Sequence, residues 1–149
     1  MYVPLTTLLT TVDPLNNDKI VIEFLPLYEA MHICGSLGKG DELVRTYEKD
    51  RRKQMDLLLP SYLNLDDNGK QLHDLLADIT GFSILERATA KKTMDFRSVS
   101  EIEGLWDIMC DRVIDLITET VEKIKDPKVL LRVKESVTIF MHTIQVCPF

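Results

Sequence analysis

The sequence predicts an all-α fold, an antiparallel helical bundle or a stack of helical hairpins, and three observations lead there. Apolar residues recur at three- and four-residue spacing in five successive stretches. The breaks between those stretches hold the glycine, proline and cap residues that stop and start helices. No segment shows sustained period-two alternation bounded by hairpin turns. Amphipathic helices on short connections bury their stripes against one another.

Residues 1–21 read as the tail of a preceding element plus a loop, because Pro4, Pro14 and the polar run Asn16-Asn17-Asp18 punctuate them. One short helical stretch would fit inside. Residues 22–149 read as the bundle segment. Its first helix is expected over about Phe24–Leu37, with Pro26 in the first turn and Leu27, Ala30, Met31 and Cys34 in helical register. Gly35, Gly38 and Gly40 end it.

The second helix is expected over Asp41–Leu59, with Leu43, Val44, Tyr47, Met55 and Leu58 as its stripe and Pro60 as its stop. Between Tyr47 and Met55 every residue is polar or charged, which predicts an exposed middle. The third is expected over Asn68–Lys92, carried by Leu72, Leu75, Leu76, Ile79, Phe82 and Leu85. Gly81 inside it weakens the helix by about 1 kcal/mol relative to alanine and invites a kink or a close helix contact.

The fourth helix opens on the capping box Ser98-x-x-Glu101, with Ser100-x-x-Glu103 as an alternative. Leu105, Trp106, Met109, Val113, Leu116, Ile117, Val121 and Ile124 share one face; Asp107, Asp111, Asp115, Glu119 and Glu122 lie opposite. Trp106 on the apolar face reads as a core anchor. Asp126-Pro127 opens the fifth helix as N-cap and N1, with Leu130, Val133, Val137, Phe140, Met141 and Ile144 as its stripe. So short a break predicts that the fourth and fifth helices pack on each other as an antiparallel hairpin. The apolar ending Val146-Cys147-Pro148-Phe149 reads as a cut from a longer chain.

Composition narrows the function classes. A chain of 149 residues with 45% apolar content can build one core. Its net charge of −6 and its lack of a basic stripe argue against nucleic acid and against an anionic membrane surface as partners. No apolar run approaches the roughly 20 residues that cross a bilayer, and no secretory leader opens the chain, which points to the cytoplasm. Cys34, Cys110 and Cys147 form no CxxC. Three scattered thiols suit small apolar packing in a reducing compartment.

Three features of the sequence bear on possible chemistry. Gly35–Gly40 with Lys39 lacks the phosphate-loop spacing, and a helix replaces the required strand, so helix termination explains the glycines. His32, His73 and His142 stand on three different helices with no HExxH neighbourhood. The predicted stripes are apolar apart from Thr80, Thr120 and the interrupted second helix, so no catalytic, metal or cofactor site is expected. The stretch Glu48–Gln54 remains. Its charges read as a solvated face with Glu48–Arg52 paired at i,i+4, or as a partner-docking surface built on Arg51, Arg52 and Lys53.

Several of these runs taken in order resemble a known family. Phe24-Leu-Pro-Leu-Tyr-Glu-Ala-Met-His32, then Leu37-Gly and Tyr47-x-x-x-Arg51-Arg-Lys-Gln54, resemble the middle region of the Sec-fifteen subunit of the exocyst. Ile79-Thr-Gly81-Phe82 is similar to that family's IVGFF helix, with Ser83 in place of the second aromatic. Leu105-Trp106 with Met109 is similar to its LW…MA helix, and Asp126-Pro127-x-x-Leu130 through Thr143-Ile144-Gln145 to its ending. The likeness covers residues 22 to 145; Asn64–Gly69 and Ala88–Ser98 depart from it, as in a divergent, fungal-like member.

The resemblance implies a non-enzymatic segment of a rod of stacked helical bundles in the complex that tethers secretory vesicles to the plasma membrane. It implies other exocyst subunits as partners, the Sec-ten subunit above all. A Rab-family vesicle GTPase would bind through a carboxyl-terminal domain outside this fragment. It also implies a cytoplasmic protein recruited to vesicles and exocytic sites. The rival is a generic helical adaptor or repeat-type binding module; an internal repeat of about 34 or 40 residues would favour it, and none is found.

Overall fold

In the computed structural model the described residues are 10–12, 20–22, 24–64, 69–93 and 96–146. A short antiparallel pair comes first, β1 (Thr10–Val12) against β2 (Ile20–Ile22), with Thr11 opposite Val21. Three-residue strands are too short to show alternation, so periodicity does not mark them. The rest of the stretch 1–21, with the short helical piece expected there, lies outside the described residues.

Among the described residues five helices follow: α1 (Leu25–Ser36), α2 (Gly40–Leu58), α3 (Lys70–Lys92), α4 (Val99–Val121) and α5 (Pro127–Val146). The all-α architecture is the one the sequence predicts, and its boundaries follow local chemistry. α1 ends in a Schellman motif. Gly38 takes φ +68°; its N–H reaches the Gly35 carbonyl at 3.1 Å, and the Lys39 N–H reaches that of Cys34 at 2.7 Å. At the start of α4 the Ser98 hydroxyl accepts the Glu101 N–H at 3.3 Å, so the first of the two capping boxes is the one used. At α5, Asp126 Oδ1 accepts the Lys128 N–H at 2.9 Å ahead of Pro127.

α3 is the spine. α2, α4 and α5 all pack on it, and α1 packs on α2. The pairings alternate in direction: Arg51 of α2 meets Glu86 of α3 while Met55 joins the cluster around Ile79, and the end of α3 meets Ile102 and Leu105 near the start of α4. The main core gathers Met55, Leu72, Leu75, Leu76, Ile79, Leu105, Met109, Val113 and Val133. A smaller core holds Leu27, Leu43, Tyr47 and Phe96 under α1.

Three expectations change on this frame. The tight α4–α5 hairpin is not what forms: α5 packs chiefly on α3, and its meeting with α4 is carried by side chains such as the Trp106 and Phe140 rings, 6.5 Å apart. The long apolar ridge of α3 attracts both helices and leaves an apolar groove of about 200 Å³ between them. Trp106 is only half-buried: it packs against the main core and also lines the wall of that groove, so it is less enclosed than a full core anchor. No close helix contact explains Gly81, which is exposed and whose added Cβ would meet nothing within 4 Å.

Candidate functional site

The polar middle of α2 does not lie in solvent as a block. Tyr47, Arg51 and Met55 follow one another at four-residue spacing, so they form one ridge of the helix. That ridge faces α3, and Tyr47 is 0%, Arg51 2% and Met55 4% exposed. Asp50 is buried beside it. Arg52 and Lys53, one and two steps round the helix, are exposed. The surface expected from Arg51, Arg52 and Lys53 is therefore not continuous. Arg51 is taken from it because α3 presents a buried carboxylate opposite.

That carboxylate is Glu86, which the sequence reading overlooked. It lies on the inward face of α3 with Ile79 and Ser83, and it is 2% exposed. Arg51 donates its Nε–H to Glu86 Oε1. Arg97, from the segment just before α4, places its Nη2 2.9 Å from Glu86 Oε2, with both side chains almost fully enclosed. The guanidiniums also stack on aromatic faces: Arg51 is 4.2 Å from the Phe82 ring centroid and Arg97 is 5.4 Å from that of Tyr47. Phe82 packs on the main core and Tyr47 belongs to the smaller one, so the charges fill the seam between the two.

The electrostatics of the seam appear at Tyr47. Burial pushes its hydroxyl above the usual phenol range, and the Glu86 charge adds to this, while Thr89 and the two guanidiniums pull the other way. The phenol ring meets Phe96 edge-on at 5.1 Å. Such a cluster is suited to fixing geometry. Arginine does not exchange protons in the working pH range, and the cavity touching Glu86 is about 10 Å³, room for a single water molecule at most. A reactant has no room there.

The other sequence candidates stay apart. His32, His73 and His142 are all exposed. Among the described residues no group of three or more His, Cys, Asp or Glu could hold a metal ion. Cys34 and Cys110 are half-buried free thiols, and Cys147 lies outside the described residues. Burial, followed by the charges of Asp107 and Asp111, pushes the Cys110 thiol above its ordinary value, which disfavours the reactive thiolate. Among the described residues no helix is long and apolar enough to cross a membrane.

A second electrostatic feature joins α2 to the start of α4. Glu48 is pushed up by burial, by a hydrogen bond shared with Glu101 and by that neighbour's charge. Glu101 moves down, first through the same hydrogen bond and then through its bonds to Ser98 and the field of Arg97. Nearby, Arg112 of α4 donates to Asp56 of α2 at 2.6 Å on the open surface. Polar contacts thus clamp α2 to both α3 and α4.

The chain is 28% identical over 132 residues to exocyst complex component sec15 of Schizosaccharomyces pombe, a match covering 89% of this chain and 17% of that protein. It is 28% identical over 123 residues to exocyst complex component 6 of Drosophila melanogaster, covering 83% of this chain and 16% of that protein. To exocyst complex component 6B of Homo sapiens it is 26% identical over 129 residues, 87% of this chain and 16% of that protein. The chain spans about one sixth of the length of these curated relatives. No protein-family model matches it, and no solved structure does. The resemblance carried by the sequence motifs is borne out by these relatives.

Proposed function

We propose that this chain is a non-enzymatic scaffold segment of a divergent exocyst subunit of the Sec-fifteen type, working in the tethering of secretory vesicles to the plasma membrane. The observation that carries this reading is the likeness to exocyst subunits from yeast, fly and human along more than four-fifths of the chain. The physical character of the fold supports it. A tether needs length, stiffness and docking faces, and a bundle whose helices are clamped by buried charge supplies stiffness without chemistry.

On this reading residues 22–149 are one bundle of a longer rod, its partners are other exocyst subunits, and it acts from the cytoplasm at exocytic sites. The Sec-ten subunit is the first partner to test, and a Rab-family GTPase would engage a separate carboxyl-terminal domain. Arg52 and Lys53 are the docking candidates that remain, since both are exposed on α2.

Co-isolation tests the proposal. The chain, expressed in cells with tagged exocyst subunits, should co-isolate with at least one of them, and Arg52→Glu with Lys53→Glu should weaken that capture while leaving the helical circular dichroism unchanged. Absence of every exocyst subunit from the eluate would reject the scaffold reading. Unchanged capture by the double variant would reject the docking residues alone.

A further inference from the structure

A mainly apolar groove runs between α4 and α5. Its walls are Trp106, Ile114 and Ile117 on α4 and Phe140, Met141 and Ile144 on α5, above a floor from α3. Ile114 is 59% and Met141 51% exposed, so apolar side chains stand at the lip rather than only in the depth. Trp106 to Ile117 spans about 16 Å at 1.5 Å per residue, the length of three helical turns. The opening of about 200 Å³ has room for a pair of aliphatic side chains.

The two lips carry different charge. On α4 the residues following the wall positions Trp106 and Cys110 are Asp107 and Asp111, both exposed. Their field reaches into the groove, since both raise the thiol of Cys110, which lines it. On α5 the residues following the wall positions Val137, Met141 and Ile144 are Thr138, His142 and Gln145, all exposed and none acidic, with the exposed Lys134 one turn before Thr138. A carboxylate at the edge of a half-dry apolar groove interacts more strongly than one in open water, because the local dielectric is lower. It attracts a cation beside an apolar contact and repels an anion.

We propose that the α4–α5 groove docks a cationic amphipathic helix of a partner polypeptide. The helix lays an apolar stripe of i, i+3, i+4 and i+7 residues between Trp106 and Phe140, and directs Lys or Arg from one flank to Asp107 and Asp111. Apolar burial supplies the affinity; the acidic lip supplies discrimination against anionic helices. A second copy of this chain cannot offer α2, its Arg- and Lys-rich helix, in this role. The apolar ridge of α2 is already buried through Leu43, Tyr47 and Met55. This inference goes beyond the scaffold reading and does not rest on it.

The probe is a synthetic helical peptide of about four turns, free of tryptophan, with Leu on the stripe and Lys on the flanks; its control carries Glu at every Lys position. Trp106 is the single tryptophan of the chain, so its emission reports the groove directly. The Lys peptide is expected to shift that emission and to bind about tenfold or more tighter than the Glu peptide. Asp107→Lys with Asp111→Lys, both on exposed positions, should reverse the preference. Equal binding of the two peptides, binding of neither, or a preference unmoved by the charge reversal would each overturn the proposal. So would a dimer in sedimentation that Ile114→Lys dissolves, which would give the groove to a second copy.

Discussion

Arg51 of α2 and Glu86 of α3 form an ion pair whose side chains are 3% and 2% exposed, and Arg97 completes it from the far side of the carboxylate. Charges so enclosed contribute little net stability relative to apolar residues of the same shape, yet removing one partner leaves the others stranded. Glu86→Ala should therefore cost about 3–5 kcal/mol in urea unfolding. Replacing all three together, Arg51→Met with Glu86→Leu and Arg97→Met, should recover most of that loss. A Glu86→Ala variant within about 1 kcal/mol of the parent would show that the seam does not bear on stability.

Gly81 lies exposed in the middle of α3 with open space around its missing Cβ. Gly81→Ala should stabilise the protein by about 1 kcal/mol through helix propensity alone. For a chain of this size that is a rise of roughly 2–4 °C in Tm. A fall in Tm would mean that the glycine is needed for a local bend.

The opposite result is expected at Gly38, where φ is +68° at the end of α1. A side chain there meets open space but strains the left-handed backbone. Gly38→Ala should cost about 1 kcal/mol, read from the midpoint of chemical denaturation. Substitution without effect would show that the Schellman turn relaxes freely.

The Glu48–Glu101 pair sets a pH dependence. Glu48 moves up in the folded state, so its contribution to stability is present below the ordinary glutamate pKa and is lost as pH rises through the raised value. Glu101 moves down, so its contribution is present above that ordinary value and is lost as pH falls through the lowered one. At pH 7, Glu48→Gln should melt at or above the parent and Glu101→Gln below it; once pH has fallen below the lowered value of Glu101 the three melting temperatures should converge. Parallel curves across that range would rule out the coupling.

Trp106 faces the groove and is only half-buried. Trp106→Ala should cost less than the roughly 3–5 kcal/mol of a fully enclosed aromatic, measured by thermal unfolding followed at 222 nm. A cost in that full range would place the indole in the core after all.

Much of the architecture was legible from local pattern. Five helices, the Ser98 cap, the Asp126-Pro127 start and the glycine stop of α1 depend on residues within one or two turns, and such rules act before tertiary contact. The seam could have been partly read: Tyr47, Arg51 and Met55 share one ridge by spacing alone, which marks Arg51 for burial once the ridge is drawn through it. Reading Glu48–Gln54 as a uniformly polar block hid that ridge.

The sequence by itself determined where helices begin and end and which stripes are apolar, because periodicity and capping are properties of contiguous residues. Tertiary structure alone decided that Arg51 and Arg97 both meet Glu86 rather than solvent, and that α5 settles on α3 and leaves a groove beside α4. The Arg51–Glu86 pair alone joins residues 35 positions apart. Which charge finds which partner depends on how apolar ridges compete for a common spine, and no local rule encodes that competition.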